Sequence, residues 1–254
     1  MALPILSLQP GWLGKKYKLS NDADQDVVLD RMKQLGIVGI EGGGPDPVAF
    51  KRKLDARGLK YSGTHVAMSG KPDMGKVLDY LHQVGGNYVC NSGIMEWNKP
   101  NLQHFKEGIQ KVNEYARQCK AAGVYFTYHN HAFEFDKVDG DRRGMDVLID
   151  GIDWSNDHVG LCMDVAWIWR GKDDPASFLE RHADKIRYLH LKDTDDADWK
   201  ELGQGKLDWA SIFKVLPKLT KCAYAAIEQD QTDKDDPLVS VDISRKFLKE
   251  RFGY

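Results

Sequence analysis

Apolar runs and amphipathic segments alternate along this 254-residue chain. A segment with apolar residues at helical spacing, such as 26–35, is followed by a glycine and then by a short apolar run, such as 37–40. Glycine commonly ends helices because it tolerates the left-handed backbone conformation. Short runs without polar alternation are typical of strands that are buried on both faces of a parallel sheet.

This pattern predicts eight strand-then-helix units. The predicted strands are 4–8, 37–40, 59–66, 88–90, the run that begins at 123, 159–164, 186–191 and 222–228. The predicted helices are 26–35, 46–57, 73–84, 101–122, 144–149, 175–185, 209–219 and 238–251. One unit per roughly 30 residues is what an α/β barrel of about 250 residues needs.

The fold that we predict is a single (β/α)8 TIM barrel over residues 1–254, with parallel strands and outer helices. No Pro/Ser-rich linker divides the chain into two domains. An open doubly wound sheet is the alternative, because the same alternation of elements allows it.

Composition narrows the class of partner. The 36 basic and 38 acidic residues give no basic footprint for nucleic acid. No apolar run approaches the roughly 20 residues of a membrane span, and Met-Ala-Leu-Pro-Ile-Leu is not the start of a signal peptide. The four cysteines are widely spaced, as is usual for reduced thiols. We therefore expect a cytoplasmic protein without nucleic-acid or membrane partners.

Polar residues gather at the predicted strand ends. They are Glu41, His65, His129, His131, Asp164, His190 and Glu228. In a βα barrel the carboxyl ends of all strands meet at one face, where active sites lie. Residues far apart in sequence would therefore be neighbours there.

Asp164, His190 and Glu228 end three consecutive predicted strands. Each has an ordinary structural explanation by itself: a helix cap, a core histidine and a surface ion pair. Two carboxylates and an imidazole at one face also form a site for a divalent ion such as Mn²⁺, Mg²⁺, Co²⁺ or Zn²⁺. The joint occurrence favours the metal site.

Five motifs carry a resemblance to a known superfamily. They are Tyr-His-Asn-His-Ala-Phe-Glu-Phe at 128–135, Gly-Leu-Cys-Met-Asp at 160–164, Tyr-Leu-His-Leu-Lys-Asp at 188–193, Leu-Gly-Gln-Gly-Lys-Leu-Asp-Trp at 202–209 and Ala-Ile-Glu at 226–228. In order and spacing the chain resembles the xylose isomerase-like barrels, usually described as sugar phosphate isomerases/epimerases. Ketose 3-epimerases, inosose dehydratases and endonuclease IV belong to the same superfamily. The resemblance implies metal ligation by Asp164, His190 and Glu228, with Mn²⁺ the expected ion.

The fifth strand departs from that superfamily. Ketose epimerases have a glutamate six residues after the glycine that opens the strand, whereas that count from Gly123 gives His129. Either His129 binds the metal or Glu134 reaches back from the next loop. We expect Glu134, because a carboxylate suits Mn²⁺ or Mg²⁺ better than a second imidazole does. Period-two alternation places His129 and His131 on one face.

The expected function is that of a metal-dependent sugar isomerase or epimerase. The metal would stabilise the enediolate that forms when a proton is removed next to a carbonyl. Glu228 is the expected base as well as a ligand, and His129 or His131 would return a proton. The residues expected to contact the carbohydrate substrate are Glu41, His65, Lys192 and Trp167.

Three alternatives stay open. Histidine in place of the fifth-strand glutamate raises the case for a lyase or dehydratase acting on an inosose or a 3-keto-sugar. A non-catalytic sugar-binding barrel also fits the sequence. Nucleic-acid processing of the endonuclease IV type is disfavoured by the charge balance. Association into a homo-oligomer is left open.

Overall fold

A computed structural model describes residues 3–254, so residues 1 and 2 of the expected domain lie outside the described residues. Eight parallel strands form a closed barrel. In chain order they are β1 (Ile5–Leu8), β2 (Gly39–Glu41), β3 (Lys60–Ala67), β4 (Tyr88–Ser92), β5 (Tyr125–His129), β6 (Val159–Asp164), β7 (Ile186–Leu191) and β8 (Tyr224–Ile227).

Closure of the sheet is seen at β1, which pairs with strands on both sides. Ser7 lies opposite Ala226 of β8 and opposite Gly39 of β2, in parallel register in both cases. The expected barrel is therefore confirmed and the open sheet is excluded. Because the sheet is closed, the carboxyl ends of all eight strands surround one axis.

Helices surround the barrel. They are α1 (Asp22–Leu35), α2 (Pro47–Asp55), α3 (Met74–Val84), α4 (Leu102–Ala121), α5 (Gly144–Gly151), α6 (Val165–Arg170), α7 (Pro175–Arg181), α8 (Trp209–Val215) and α9 (Pro237–Phe252). None of the helices in residues 3–254 combines the length and the apolar character that crossing a membrane requires.

Helix α1 shows how the sequence sets an element's ends. The side chain of Asn21 accepts hydrogen bonds from the backbone N–H groups of Ala23 and Asp24, which have no partner within the helix. At the other end Gly36 has φ of 68°, in the left-handed region that glycine tolerates. The predicted end of this helix is thus correct.

Several short elements were not predicted, among them one helix and two hairpins. Helix α6 begins directly after β6, in a run of apolar and aromatic residues too short to show helical periodicity. Two hairpins, Lys137–Asp139 with Arg142–Arg143 and Asp193–Thr194 with Trp199–Lys200, have strands of only two or three residues. Such lengths leave no alternation for sequence reasoning to detect. The second hairpin follows β7 and borders the candidate site.

Two apolar layers stabilise the barrel. The larger packs helices against the outside of the strands and includes Leu8, Phe126 and Leu189. A smaller cluster includes Tyr88, Cys90, Cys162, Tyr188 and Tyr224. All four cysteines are free and buried, as expected for reduced thiols.

Candidate metal centre at the carboxyl ends of the strands

Four buried side chains come together where β5, β6, β7 and β8 end. They are His129, Asp164, His190 and Glu228, and each offers one ligand atom within 4.8 Å of the others. Three of them are the ligands expected from the sequence, and His129 completes the group. They come together because β5, β6, β7 and β8 are neighbours in the sheet, although the residues span a hundred positions of sequence.

Several polar atoms of this group are buried without a hydrogen-bond partner among the described residues. They are both ring nitrogens of His129, Asp164 Oδ2, His190 Nδ1 and Glu228 Oε2. Unpaired buried polar atoms are costly, so a cluster of them requires an explanation. His190 Nδ1 and Glu228 Oε2 lie 2.6 Å apart without hydrogen-bond geometry. Two imidazoles and two carboxylates arranged in this way fit a divalent cation.

The two carboxylate oxygens of Asp164 have different contacts, one with a helix and one with the cluster. Oδ1 accepts hydrogen bonds from the backbone N–H groups of Ala166 and Trp167, at 2.9 and 3.0 Å, and so caps α6. Oδ2 faces the site, 3.8 Å from His129 Nε2. The side chain of Asn130 accepts from the backbone N–H of Asp164 at 2.9 Å and fixes its position.

Glu41 supports His190 from the opposite side of the barrel. Its Oε2 is 2.7 Å from His190 Nε2, and its Oε1 is 2.9 Å from His65 Nδ1. The Glu41 side chain is fully buried, whereas the His65 side chain is 26% exposed. Burial alone would raise the pKa of Glu41, but the two histidines outweigh it and hold that pKa well below its usual range.

Glu134, the fifth-strand ligand expected from the sequence, lies outside the cluster, and His129 lies within it. Its oxygens accept hydrogen bonds from Tyr128 Oη at 2.9 Å and from the backbone N–H of His131 at 2.7 Å. Because Tyr128 and His129 are adjacent in β5, their side chains point to opposite faces of the strand. The short helical turn Phe133–Phe135 turns Glu134 towards Tyr128 and away from the axis.

Lys192 is a buried cation beside the two carboxylates of the cluster. Its Nζ lies 3.6 Å from Asp164 Oδ2, 3.5 Å from Glu228 Oε1 and 2.5 Å from Asp230 Oδ1. Burial opposes the charge of Lys192, but these carboxylates outweigh it and raise the pKa. Burial likewise opposes the charge of Glu228, yet Lys192 and His190 hold the pKa of Glu228 well below its usual range.

His131 stands above the cluster within an aromatic wall. Its ring centroid is 5.0 Å from that of His129, 4.5 Å from that of Trp97 and 5.2 Å from that of Trp167. Burial, followed by the neighbouring His129, lowers the pKa of His131 to about 2. His131 is therefore a neutral imidazole near pH 7, and its burial disfavours the uptake of a proton.

Sequence reasoning missed Trp199 and Arg170, which extend this wall. The Trp199 ring packs edge-on against Trp167, with centroids 4.7 Å apart. Lys192 Nζ lies 4.4 Å and Arg170 Cζ 3.7 Å from the centroid of Trp199. Both residues belong to short elements that carry no periodic signal. The available sequence signal for this wall was the tryptophan and basic residues at 165–170 and 199–200.

Comparisons with known proteins agree with this architecture. The inosose dehydratase of Geobacillus kaustophilus is 26% identical over 87% of this chain and 84% of its own length. A sugar phosphate isomerase/epimerase of Parabacteroides distasonis has a TM-score of 0.80 at 22% identity and covers 99% of this chain and 96% of its own. An L-ribulose 3-epimerase has a TM-score of 0.75 at 16% identity and covers 98% and 94%.

The family comparison covers most of the barrel. Residues 29–250 match the family described as "Xylose isomerase-like TIM barrel". This range includes β2 to β8 and all four residues of the cluster. The chain belongs to the xylose isomerase-like TIM barrel family.

Proposed function

We propose that this protein is a divalent-metal-dependent enzyme that removes a proton next to a carbonyl in a keto-sugar or keto-cyclitol. His129, Asp164, His190 and Glu228 are the proposed ligands, because their unpartnered atoms converge. Mn²⁺ is the proposed ion, with Mg²⁺, Co²⁺ and Zn²⁺ as alternatives. The ion would polarise the carbonyl and stabilise the negative charge that develops on its oxygen.

Glu228 is the proposed base. Its carboxylate stays charged because Lys192 and His190 outweigh the effect of burial on its pKa. Its Oε1 is on the side of Lys192, 3.5 Å from Nζ, while Oε2 faces His190. A carboxylate with one oxygen turned away from the cluster can accept a proton from a bound ring.

Elimination of water is the reaction that the site supports best. The observation that carries this proposal is the imidazole of His129. It stands at the fifth-strand position where ketose epimerases have a glutamate. The C–H bond breaks towards Glu228, its electron pair forms the carbon–carbon double bond, and the neighbouring C–O bond breaks. The departing hydroxyl, held by the charged Lys192 beside the carboxylates, takes up the proton that Glu228 has accepted and leaves as water. The similarity to inosose dehydratases supports the same class.

Isomerisation or epimerisation is the second candidate. His131 would lie beside the bound ring, since its ring centroid is 5.0 Å from that of His129. The similarity in fold to an L-ribulose 3-epimerase is consistent with this reaction. Trp167, His65 and Lys192 would then contact the ring, as expected from the sequence.

A substrate panel in D₂O distinguishes these reactions. The metal-loaded enzyme is incubated with inososes and with 3-keto-glucose, and products are followed by NMR and mass spectrometry. We expect a product that has lost one water. An isomeric product carrying solvent deuterium would instead establish the isomerase or epimerase. A protein that binds no divalent ion and exchanges no proton would be a non-catalytic sugar-binding barrel.

A further inference from the structure

Two buried cysteines lie inside the barrel, next to the metal centre. Cys90 is in β4 and Cys162 is in β6, and neither side chain is exposed. Cys162 is two residues before Asp164, so both side chains point to the same face of β6. Cys162 therefore lies one step further into the barrel than that proposed ligand. The proposed reaction uses neither thiol.

The two thiols form a cluster with His190. One ligand atom of each of Cys90, Cys162 and His190 lies within 4.8 Å of the other two, and all three side chains are fully buried. Nε2 of His190 is occupied by Glu41. Nδ1 has no hydrogen-bond partner among the described residues, so it is the ring atom left for an ion. Thr127 Oγ1 lies 3.5 Å from Cys90 Sγ and donates to that sulfur.

The spacing of the strands favours a bound ion over a disulfide bond. β5 lies between β4 and β6 in the sheet. Neighbouring strands are about 4.8 Å apart, which places the Cα atoms of Cys90 and Cys162 roughly 9 Å apart. A disulfide needs Cα atoms less than about 7 Å apart. A tetrahedral ion about 2.3 Å from each sulfur instead holds two sulfurs roughly 3.8 Å apart, within the separation of the cluster.

The ligands of this cluster suit a different class of ion from Mn²⁺ or Mg²⁺. Thiolates are soft ligands that select ions such as Zn²⁺, whereas carboxylates suit Mn²⁺ and Mg²⁺. Each thiol gives up its proton to the solvent when it binds, and two thiolates balance the charge of a divalent ion. Without an ion the thiols are neutral, which fits their packing against Tyr188 and Ala226.

We propose that Cys90, Cys162 and His190 form a second metal position, the thiol position, which binds thiophilic divalent ions such as Zn²⁺ and Cd²⁺. Both positions need Nδ1 of His190, so only one of them is filled at a time. A thiophilic ion at the thiol position therefore excludes Mn²⁺ from the metal centre and inhibits the enzyme. The inhibition rests on the proposed function, whereas the thiol position does not.

Titration of the metal-free protein with Cd²⁺ tests the thiol position. Cd²⁺ bound to thiolates absorbs ultraviolet light by charge transfer, and its NMR shift depends on the number of sulfur ligands. We expect a charge-transfer band that saturates at an equimolar ratio, and a cadmium shift typical of two sulfur ligands. The Cd²⁺-loaded protein should bind Mn²⁺ at least about 100-fold more weakly than the metal-free protein, equivalent to about 2.8 kcal/mol. Electron paramagnetic resonance of free Mn²⁺ measures that change.

The double variant Cys90→Ser/Cys162→Ser removes both sulfurs and nearly keeps the size of the side chains. It should lose the charge-transfer band and bind Mn²⁺ as the wild type does, because the four proposed ligands of the metal centre are unchanged. Cys119→Ser/Cys222→Ser is the matched control, since these cysteines are also free and buried but lie outside the cluster. The control should keep the band.

Two results would overturn the thiol position. One is a wild-type protein that binds Cd²⁺ without the band and without the two-sulfur shift, a result that does not depend on the folding of any variant. The other is loss of the band in the control, which would assign it to other thiols. Full Mn²⁺ affinity of the Cd²⁺-loaded protein would contradict the shared use of His190.

The proposed function can fail separately. If the band and the two-sulfur shift are present but no keto-sugar reacts in the D₂O panel, the thiol position stands and the proposed chemistry is wrong.

Discussion

Glu41 and His190, 149 positions apart, are joined by a 2.7 Å hydrogen bond between Oε2 and Nε2, and neither side chain is exposed. The bond leaves Nδ1 of His190 facing Glu228, at 2.6 Å from its Oε2. A carboxylate behind a metal-binding histidine fixes the ring and increases its basicity. Glu41 is thus a positioning residue for the proposed centre.

Replacing Glu41 by glutamine should weaken binding of Mn²⁺ by about 10- to 100-fold, the range typical of lost partners behind metal ligands. The amide keeps the shape of the side chain but removes the charge that supports His190. Calorimetric titration of the metal-free protein with Mn²⁺ measures the change. Glu107→Gln, at an exposed position of α4, should bind as the wild type does. Equal affinities in all three proteins would exclude the role of Glu41.

His129→Ala and Glu134→Ala should differ sharply in metal content. His129 contributes unpartnered ring nitrogens to the cluster, whereas both oxygens of Glu134 are occupied by Tyr128 and by the backbone of His131. We expect the His129 variant to lose most of its metal and the Glu134 variant to retain it, as measured by elemental analysis after dialysis. Loss of metal from the Glu134 variant alone would restore Glu134 as the ligand.

Glu134→Gln should change how stability depends on pH. Burial raises the pKa of Glu134 to about 8 from an ordinary value of 4.5. With the folded-state pKa above the unfolded one, the stability from protonated Glu134 is complete below the ordinary pKa and is lost as pH rises through about 8. Glutamine cannot lose a proton, so the variant should gain stability relative to wild type as pH rises.

Urea unfolding of both proteins at about pH 5 and about pH 9 measures the difference between their free energies of unfolding. That difference can change by at most about 1.4 kcal/mol per pH unit. Comparing the two proteins at each pH removes the contributions of their shared titrating groups. A difference that stays constant with pH would mean that Glu134 is charged in the folded protein.

Glu228→Gln should abolish turnover while leaving the fold intact. The amide cannot accept the proton, and positioned acids and bases typically contribute about 10²- to 10⁴-fold to rate. Steady-state turnover of whichever keto-sugar reacts in the D₂O panel gives the loss, and circular dichroism checks the fold. Glu180→Gln, 55% exposed at its side chain, should be fully active. Full activity of Glu228→Gln would remove Glu228 from the mechanism.

The barrel could be predicted because its signals are local and repeated. Asn21 and Gly36 bound α1 by capping chemistry that the sequence displays directly. The strands at 159–164 and 186–191 have the predicted ends, since their apolar runs stop at charged or polar residues. Helix α6 could not be predicted, because its six residues are too few to show a period and its start depends on the cap that Asp164 provides.

The site was predictable where it depends on strand ends and not where it depends on loops. Asp164, His190 and Glu228 follow from the strand pattern once a barrel is assumed. The choice between His129 and Glu134 depends on how the chain turns after β5, and only the structure shows that Tyr128 binds the glutamate. The position of Glu41 depends on contacts across the barrel, which no local pattern encodes.

The shared carboxylate of Asp164 has a consequence for how the protein can evolve. One oxygen starts a helix and the other faces the centre, so both features depend on a single codon. Asparagine at this position would keep an oxygen for the cap and remove the negative charge, whereas alanine would remove both. A change to asparagine would therefore keep α6, and Trp167 within it, while removing a ligand charge from the proposed centre. In related sequences, aspartate at this position is compatible with the proposed centre, whereas asparagine would preserve the helix without it.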